Sequence, residues 1–241
     1  GIPGTLAAPC YQELGNVPSL LRTLDEVVRT LAPRWDVRPL LVDDGSDDGT
    51  VELLTLAIGD RPKDSIPFRL HCHPENRGIA AAIQTGLELA ETEYAASMDA
   101  DGSYDPAQLA ELLPHLLDGA DLVTGSPYHP KGRVRNVPPW RLVLSRGLSR
   151  MYRATCRVPV HTFTSCFRAY RTRVAAEMPL SDGRYLGIAE LLLRLHARGA
   201  SVREVPSTLE TRLYGVSKIR TARVILGHLK LWVRASLRLV R

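Results

Sequence analysis

The chain is poor in several features that would decide its class at once. It has four cysteines in 241 residues, Cys10, Cys72, Cys156 and Cys166. Their spacing matches neither a zinc site nor a dense disulfide frame, the pattern expected of reduced, cytoplasmic thiols. Aromatic residues make up only 6% and no recognition motif accompanies the basic residues, so nucleic acid is not an expected partner. No run approaches the roughly 20 apolar residues of a membrane-spanning helix, and no signal-peptide pattern opens the sequence at GIPGT. A glycine-rich dinucleotide fingerprint and a P-loop lysine are both missing, which sets aside dinucleotide redox chemistry and ordinary nucleotide hydrolysis. Acid is missing from the end of the chain: no Asp or Glu follows Glu210, whereas Arg212, Lys218, Arg220, Arg223, Lys230, Arg234, Arg238 and Arg241 do. On a chain of net charge +5, that asymmetry points to a polyanion such as a phosphorylated substrate or an anionic membrane surface.

What the chain does have is a regular alternation. Its 44% hydrophobic and 24% charged residues are ordinary for one globular domain with a sizeable core. Apolar runs around Thr5 to Ala8 and in VRPLLVDD, PFRLHCH, EYAASMDAD and ADLVTGS predict strands. Between them, the stripe Val17, Leu20, Leu21, Leu24, Val28 and Leu31, with Asn16 as cap, predicts a helix. GTVELLTLAI, RGIAAAIQTGLELA and PAQLAELLPHLL predict three more. A Pro-, Gly- and Arg-rich stretch over 126–139 predicts an irregular loop. Beyond it come a helix in WRLVLSRGLSRMYR, a strand in CFRAYR, a helix in IAELLLRLHARG, a strand in SVREVPS and a basic helix from Ile219 to Val240. The expected fold class is therefore α/β, an open, mostly parallel sheet with helices on both faces. Ligands of such sheets bind beyond the carboxyl ends of the strands, where Asp43, Asp44, Asp99 and Asp101 fall.

Two acidic constellations stand out. VDDGSDDGT begins like a calcium-binding loop, but the position that should hold a bidentate Glu is Thr55. Asp48, before Gly49 and Thr50, suits a turn that caps the next helix. The doubled acid Asp43–Asp44 at a strand end suits hydrogen bonds to a ribose or a base N–H. In MDADGSYDP, Asp99 and Asp101 would repel unless a cation lay between them. A divalent metal there would bridge a diphosphate and offset the charge growing on a leaving group. The bland alternative is a helix cap, which suits Asp105 before Pro106 better than the pair.

In chain order, PCYQELGNVPSLL, VDDGSDDGT, NRGIAAAIQTGLELA, MDADGSYDP, GSPYHPKG, FTSCFRAYR and YGVSK resemble the family 2 glycosyltransferases of GT-A (Rossmann-like) fold. The likeness is greatest to the polyprenol- and dolichol-phosphate mannosyl- and glucosyltransferases, and it runs from about Pro9 to Lys218. It implies a catalytic domain over 1–218 followed by a basic amphipathic helix over 219–241. Pro9, Tyr11 and Glu13 match the family's P-x-Y-x-E beside the nucleotide, and Asp43 and Asp44 its base- and ribose-recognising pair. Arg77 and Gly78 match the N-x-G element near the donor. Asp99, Ala100 and Asp101 match the D-x-D, whose two acids would bind Mg²⁺ or Mn²⁺ and the donor diphosphate. Arg141 and Ser145 match residues that hold an acceptor phosphate, and Arg212 and Lys218 match cations that close over the phosphates.

The implied reaction moves a hexose, with inversion, from a nucleoside-diphosphate sugar of GDP-mannose or UDP-glucose type to a polyprenyl phosphate. A phosphate monoester acceptor is already largely ionised near neutral pH and needs no strong base. A hydroxyl acceptor, the alternative, would need one, and Glu190 or Asp182 in SDGRYLGIAE are the candidates. The chain departs from the family mainly on the acceptor side: Pro127 stands for an Arg, Ser103 for a Gln-like group, His161 for an acid and Cys166 for a Gly. His161, His71 and His73 are expected to be structural, although an imidazole at 161 would also suit Mn²⁺. The last helix is expected either to lie on an anionic membrane or to pack on the sheet with a solvated basic face. The expected location is cytoplasmic, with peripheral attachment to the cytoplasmic membrane face.

Overall fold

The computed structural model describes residues 1–99, 103–210 and 221–237, and within its helices not the side chains of Pro106, Arg141 and 221–224. Strand β1 (Ile2–Cys10), helix α1 (Val17–Leu31), β2 (Trp35–Asp43), α2 (Thr50–Gly59), β3 (Arg69–Cys72), α3 (Ile79–Glu88) and β4 (Tyr94–Ser97) alternate as the apolar periodicity predicts. Next come the short α4 (Leu109–Leu112) and α5 (Pro114–Leu117), then β5 (Leu122–Ser126), β6 (Arg133–Val134) and α6 (Pro139–Cys156). The chain continues through β7 (Arg168–Arg171), α7 (Thr172–Ala176), α8 (Tyr185–Ala197), β8 (Val202–Pro206), β9 (Thr208–Leu209) and α9 (Thr221–Ser236).

Seven strands form one sheet in the order β3-β2-β1-β4-β7-β5-β8. All neighbours run parallel except β7, which is antiparallel to both β4 and β5. The central β1 is buried from Gly4 to Cys10, as a parallel strand covered on both faces should be. One face packs on α1, with Val17, Leu20, Leu24, Val27, Val28 and Leu31 pointing inward. The other packs on α3 and α8 through Ile83, Leu87, Ile188 and Leu192.

Three local expectations change. Asn16 sits at the start of α1 but makes no capping bond; its amide donates to Glu13 Oε2 instead. The single helix expected over PAQLAELLPHLL is broken into a 3-10 turn, α4 and α5, because Pro114 brings no N–H to continue the ladder. The loop over 126–139 is largely irregular, yet β6 within it pairs in parallel with β9. The antiparallel β7 matters most for function. By running back between β4 and β5 it sets Arg168 beside Ser97 and Thr124, and so carries residues 161–167 to the ends of those strands. Arg168 is fully buried and fixes this return by donating to the carbonyls of Phe163 (2.8 Å) and Ile188 (2.7 Å).

Candidate active site

The strand ends meet as expected: Cys10, Asp43 and Cys72 are in register across β1, β2 and β3, and β4 lies on the other side of β1. Burial, and then the nearby Asp43 carboxylate, push the Cys10 thiol well above its ordinary value, so it stays protonated. Beyond these ends, the loop after β1 is tied to the loop after β2 by side chains. The backbone N–H of Gln12 donates to Ser46 Oγ (2.8 Å) and that of Glu13 to Thr50 Oγ1 (2.9 Å). The amide side chain of Gln12 reaches Asp47 (2.8 Å). Asp48 closes the seam by accepting from the Thr50 N–H (3.0 Å) and hydroxyl. Burial pushes the Asp48 carboxyl up, but the bonds from Thr50 and the Leu14 N–H outweigh it and hold the group below its usual range. Asp48 is therefore the turn-former the sequence suggests.

Asp43 and Asp44 are both buried. Asp43 accepts from the Ser46 N–H (2.8 Å) and hydroxyl (2.6 Å), bending the chain after β2. Asp44 points the other way. Its Oδ1 faces His73 Nδ1 (2.8 Å) and the Arg77 N–H (2.9 Å), and its Oδ2 takes the Gly78 N–H (2.7 Å). The expected nucleotide pair thus spends much of its bonding capacity on shaping the loops. Gly78 has φ +103°, and a Cβ there would come within 2.5 Å of the Gly183 carbonyl. The Arg77–Gly78 turn is thereby clamped between Asp44 and the 183–184 backbone. Pro9 is buried in β1, opposite Val42, and Tyr11 and Glu13 are half-buried in the loop that follows β1.

Asp99 lies half-buried just past β4. Next to it, Tyr104 stacks on Phe167 (4.9 Å between centroids). Burial pushes the Tyr104 phenol up, a bond with Ser165 offsets part of that, and the Asp99 charge adds to the rise. Ser103 accepts the Glu210 N–H through its carbonyl (3.0 Å), so the segment after the D-x-D is joined to the one after β9. Ala100, Asp101, Arg212 and Lys218 lie outside the described residues. Asp99 supplies a hard oxygen donor suited to Mg²⁺ or Mn²⁺, each of which binds through one or two carboxylates plus substrate phosphates.

Of the two residues expected to hold an acceptor phosphate, Arg141 lies in the first turn of α6, its side chain undescribed, and Ser145 follows one turn later. Burial pushes the Tyr128 phenol up, while the neighbouring Ser145 and then the Arg146 charge pull it back. Arg146 lies over the Tyr128 ring, 5.3 Å from its centre. Arg146 and Tyr128 were not singled out in the sequence; the run of basic residues on α6 (Arg146, Arg150, Arg153) was the signal available. His161 is held by Glu204 from β8, through its N–H (2.6 Å) and Nδ1 (2.7 Å). A carboxylate from β8 therefore stands beside the position where an acid was expected. Among the described residues no cluster of three or more metal-ligating groups forms around His161.

Both carboxylate oxygens of Glu190 are engaged. It is buried, with Oε1 bonded to Arg194 (2.9 and 2.8 Å) and the Ser181 hydroxyl (2.7 Å), and Oε2 to the Ser181 N–H (2.9 Å). Asp182 caps the Arg184 N–H.

The α6 and α9 helices pack together on the outer side of this region. His228 of α9 is buried against Tyr152 of α6 (3.1 Å), Trp232 Nε1 donates to Thr155 (2.9 Å), and Leu231 is buried. Exposed apolar side chains include Trp140, Val143 and Leu144 on α6 and Leu226, Leu229 and Val233 on α9. No helix among the described residues is long and apolar enough to cross a membrane.

Comparison with known proteins agrees with this geometry. Residues 5–178 match the family model for glycosyl transferase family 2. The chain is 38% identical over 220 residues to a polyprenol monophosphomannose synthase of Mycolicibacterium smegmatis, covering 88% of this chain and 78% of that protein. It is 31% identical over 214 residues to an undecaprenyl-phosphate mannosyltransferase of Micrococcus luteus, covering 88% and 85%. Among solved structures it superposes on Mycobacterium tuberculosis glucosyl-3-phosphoglycerate synthase in complex with Mn²⁺, UDP and phosphoglyceric acid. That match has a TM-score of 0.67 and 16% identity, and covers 98% of this chain and 78% of that one. A second structure of the same enzyme, with Mg²⁺ and UDP, superposes with a TM-score of 0.68 at 16% identity, covering 96% and 79%. These two likenesses establish the GT-A fold.

Proposed function

The chain belongs to glycosyl transferase family 2, and on that premise we propose that it transfers a hexose from a nucleoside-diphosphate sugar to a polyprenyl phosphate at a membrane surface. The donor is of GDP-mannose or UDP-glucose type, and the names of its relatives favour mannose. One observation carries the acceptor assignment: Ser145, beside Tyr128, sits on the same helix that exposes Trp140, Val143 and Leu144. A phosphate contact and an apolar, lipid-compatible face therefore lie within a few turns of one another. Exposed Arg146, Arg150 and Arg153 on α6 and Lys230 and Arg234 on α9 add positive charge to the same two helices, which favours an anionic membrane.

In the mechanism, an ionised oxygen of the acceptor phosphate attacks the sugar's anomeric carbon from the side opposite the departing diphosphate. One C–O bond forms as the other breaks, and the anomeric centre inverts. No proton need be removed from the acceptor, which is consistent with Glu190 being bonded to Arg194. The loops fixed by Asp43, Asp44 and Asp48 hold the nucleotide, and Tyr11 and Glu13 border it. Asp99 and Asp101 would hold Mg²⁺ or Mn²⁺, which when bound neutralises charge on the diphosphate. Arg77 stands near the donor; Arg141, Ser145, Arg212 and Lys218 gather the two phosphate groups, which otherwise repel.

The test is a transfer assay with Mn²⁺, undecaprenyl phosphate and labelled GDP-mannose or UDP-glucose in separate reactions. Label is expected in the organic phase from one donor, abolished by EDTA. If either donor binds but no label moves, the donor site stands and the lipid-phosphate acceptor falls.

A further inference from the structure

We infer that His73 is a positioning residue of the nucleotide-sugar site, acting through Asp44 on the Arg77–Gly78 turn; the inference rests on the donor site proposed above. The His73 side chain is 1% exposed, and both its ring nitrogens are engaged. Nδ1 lies 2.8 Å from Asp44 Oδ1 and Nε2 lies 2.9 Å from Thr85 Oγ1. An ionised carboxylate only accepts, so Nδ1 carries a hydrogen. In the neutral ring Nε2 then accepts from the Thr85 hydroxyl, which fixes both tautomer and ring orientation.

Among the described residues, the ion-pair partner of the buried Asp44 carboxylate is His73 and not an Arg or Lys. The carboxylate is satisfied by the His73 ring and by the N–H groups of Arg77 and Gly78 at the start of α3. A carboxylate is favoured at a helix N-terminus, but its direction there needs a fixed partner on the far side, and His73 is that partner. Thr85 belongs to α3 as well, so His73 braces the beginning and the middle of the same helix. The turn is confined from its other side too: a Cβ on Gly183 would come within 2.4 Å of the Arg77 carbonyl, and the Ala81 N–H bonds the Gly183 carbonyl at 2.8 Å. The Arg77–Gly78 backbone is thus held between Asp44 and Gly183. If the His73 bond is lost, Asp44 can rotate and the turn beside the donor loses one wall.

The test compares His73→Leu, His73→Asn and Thr85→Val with the unaltered protein. UDP and GDP binding is measured calorimetrically with Mn²⁺, donor and acceptor KM in the transfer assay, and folding by near-ultraviolet circular dichroism. The unaltered protein should bind one of the two nucleotides. His73→Leu should raise the donor Kd and KM by about tenfold or more and leave the acceptor KM unchanged. His73→Asn, which restores a donor toward Asp44, should recover most of the loss, and Thr85→Val should weaken donor binding by about two- to fivefold. A folded leucine variant with unchanged donor affinity overturns the inference, as does a fall in kcat alone with both KM values unchanged. If the leucine variant does not fold, unchanged donor affinity in Thr85→Val overturns it. If the unaltered protein binds neither nucleotide, the donor-site reading itself fails and takes this inference with it.

Discussion

The two halves of the site are built on opposite principles. Around the ends of β1, β2 and β3 the loops are polar and internally bonded: Asp43 to Ser46, Asp44 to His73 and the Arg77–Gly78 turn, Asp48 to Thr50. Around α6 and α9 the outward side chains are apolar and basic, and the helices meet through a few buried contacts such as Tyr152 with His228. A nucleotide is a rigid ligand with fixed donors and acceptors, so a preformed hydrogen-bonded wall suits it. A polyprenyl chain offers no directional groups beyond its phosphate, so an open greasy face beside a cation cluster suits it. On the function proposed above, donor specificity would belong to the first half and attachment to the second.

The sharpest way to break that division is at the strand end between them. Asp99→Asn should lower transfer by about a thousandfold, because the metal that would balance the departing diphosphate loses a carboxylate ligand. Label transfer at saturating Mn²⁺ measures it. A variant that kept its activity would move the metal away from Asp99 and leave the division without a centre.

The next largest effect is expected on stability. Glu190→Ala leaves Arg194 buried without its carboxylate, and should cost about 3–5 kcal/mol of unfolding free energy. Urea unfolding reads that loss, while kcat per folded molecule should stay unchanged. A collapse of kcat in a stable variant would instead return Glu190 to the chemistry and favour a hydroxyl acceptor.

Much of the polar half was legible in the sequence because its determinants are local. VDDGSDDGT carries its own turn-forming acids and hydroxyls, and the strand pattern places it at a carboxyl edge. The partnership of His73 with Asp44 was not legible, since it joins residues 29 apart and an alternating His pair on a strand carries no sign of what it faces. The same is true of His161 and Glu204, 43 residues apart, and of the antiparallel sense of β7. Pro114 could have warned that the helix after the D-x-D would break. The greasy half was half-legible: the basic character of the last helix is plain in the chain, but which of its apolar residues point outward depends on how it docks against Tyr152.

That docking should itself depend on pH. Burial holds the His228 imidazole down at about 4, against an ordinary value near 6.5. The unfolded chain therefore takes up a proton between these values that the folded one refuses, so stability is full above pH 6.5 and falls as the pH drops toward 4. The loss should reach about 3 kcal/mol at most. Unfolding by urea at several pH values should show it, and His228→Gln should flatten the slope in that window. A slope unchanged by the substitution would place the acid sensitivity elsewhere, leaving α9 docked by its apolar contacts alone.

The smallest effect is expected on the outward face, and it isolates attachment from chemistry. Val233 is 47% and Leu226 60% exposed, so a glutamate at either should leave the fold intact while adding negative charge where a bilayer headgroup would lie. Each substitution should weaken binding to vesicles containing phosphatidylglycerol by about 1–2 kcal/mol, and raised salt should weaken the unaltered protein in the same direction. Transfer to a short-chain, water-soluble polyprenyl phosphate should be unchanged, because none of the residues proposed to hold the reacting groups belongs to α9. If vesicle binding survives both glutamates, the exposed apolar residues are not the attachment surface, and attachment would rest on the basic side chains of α6.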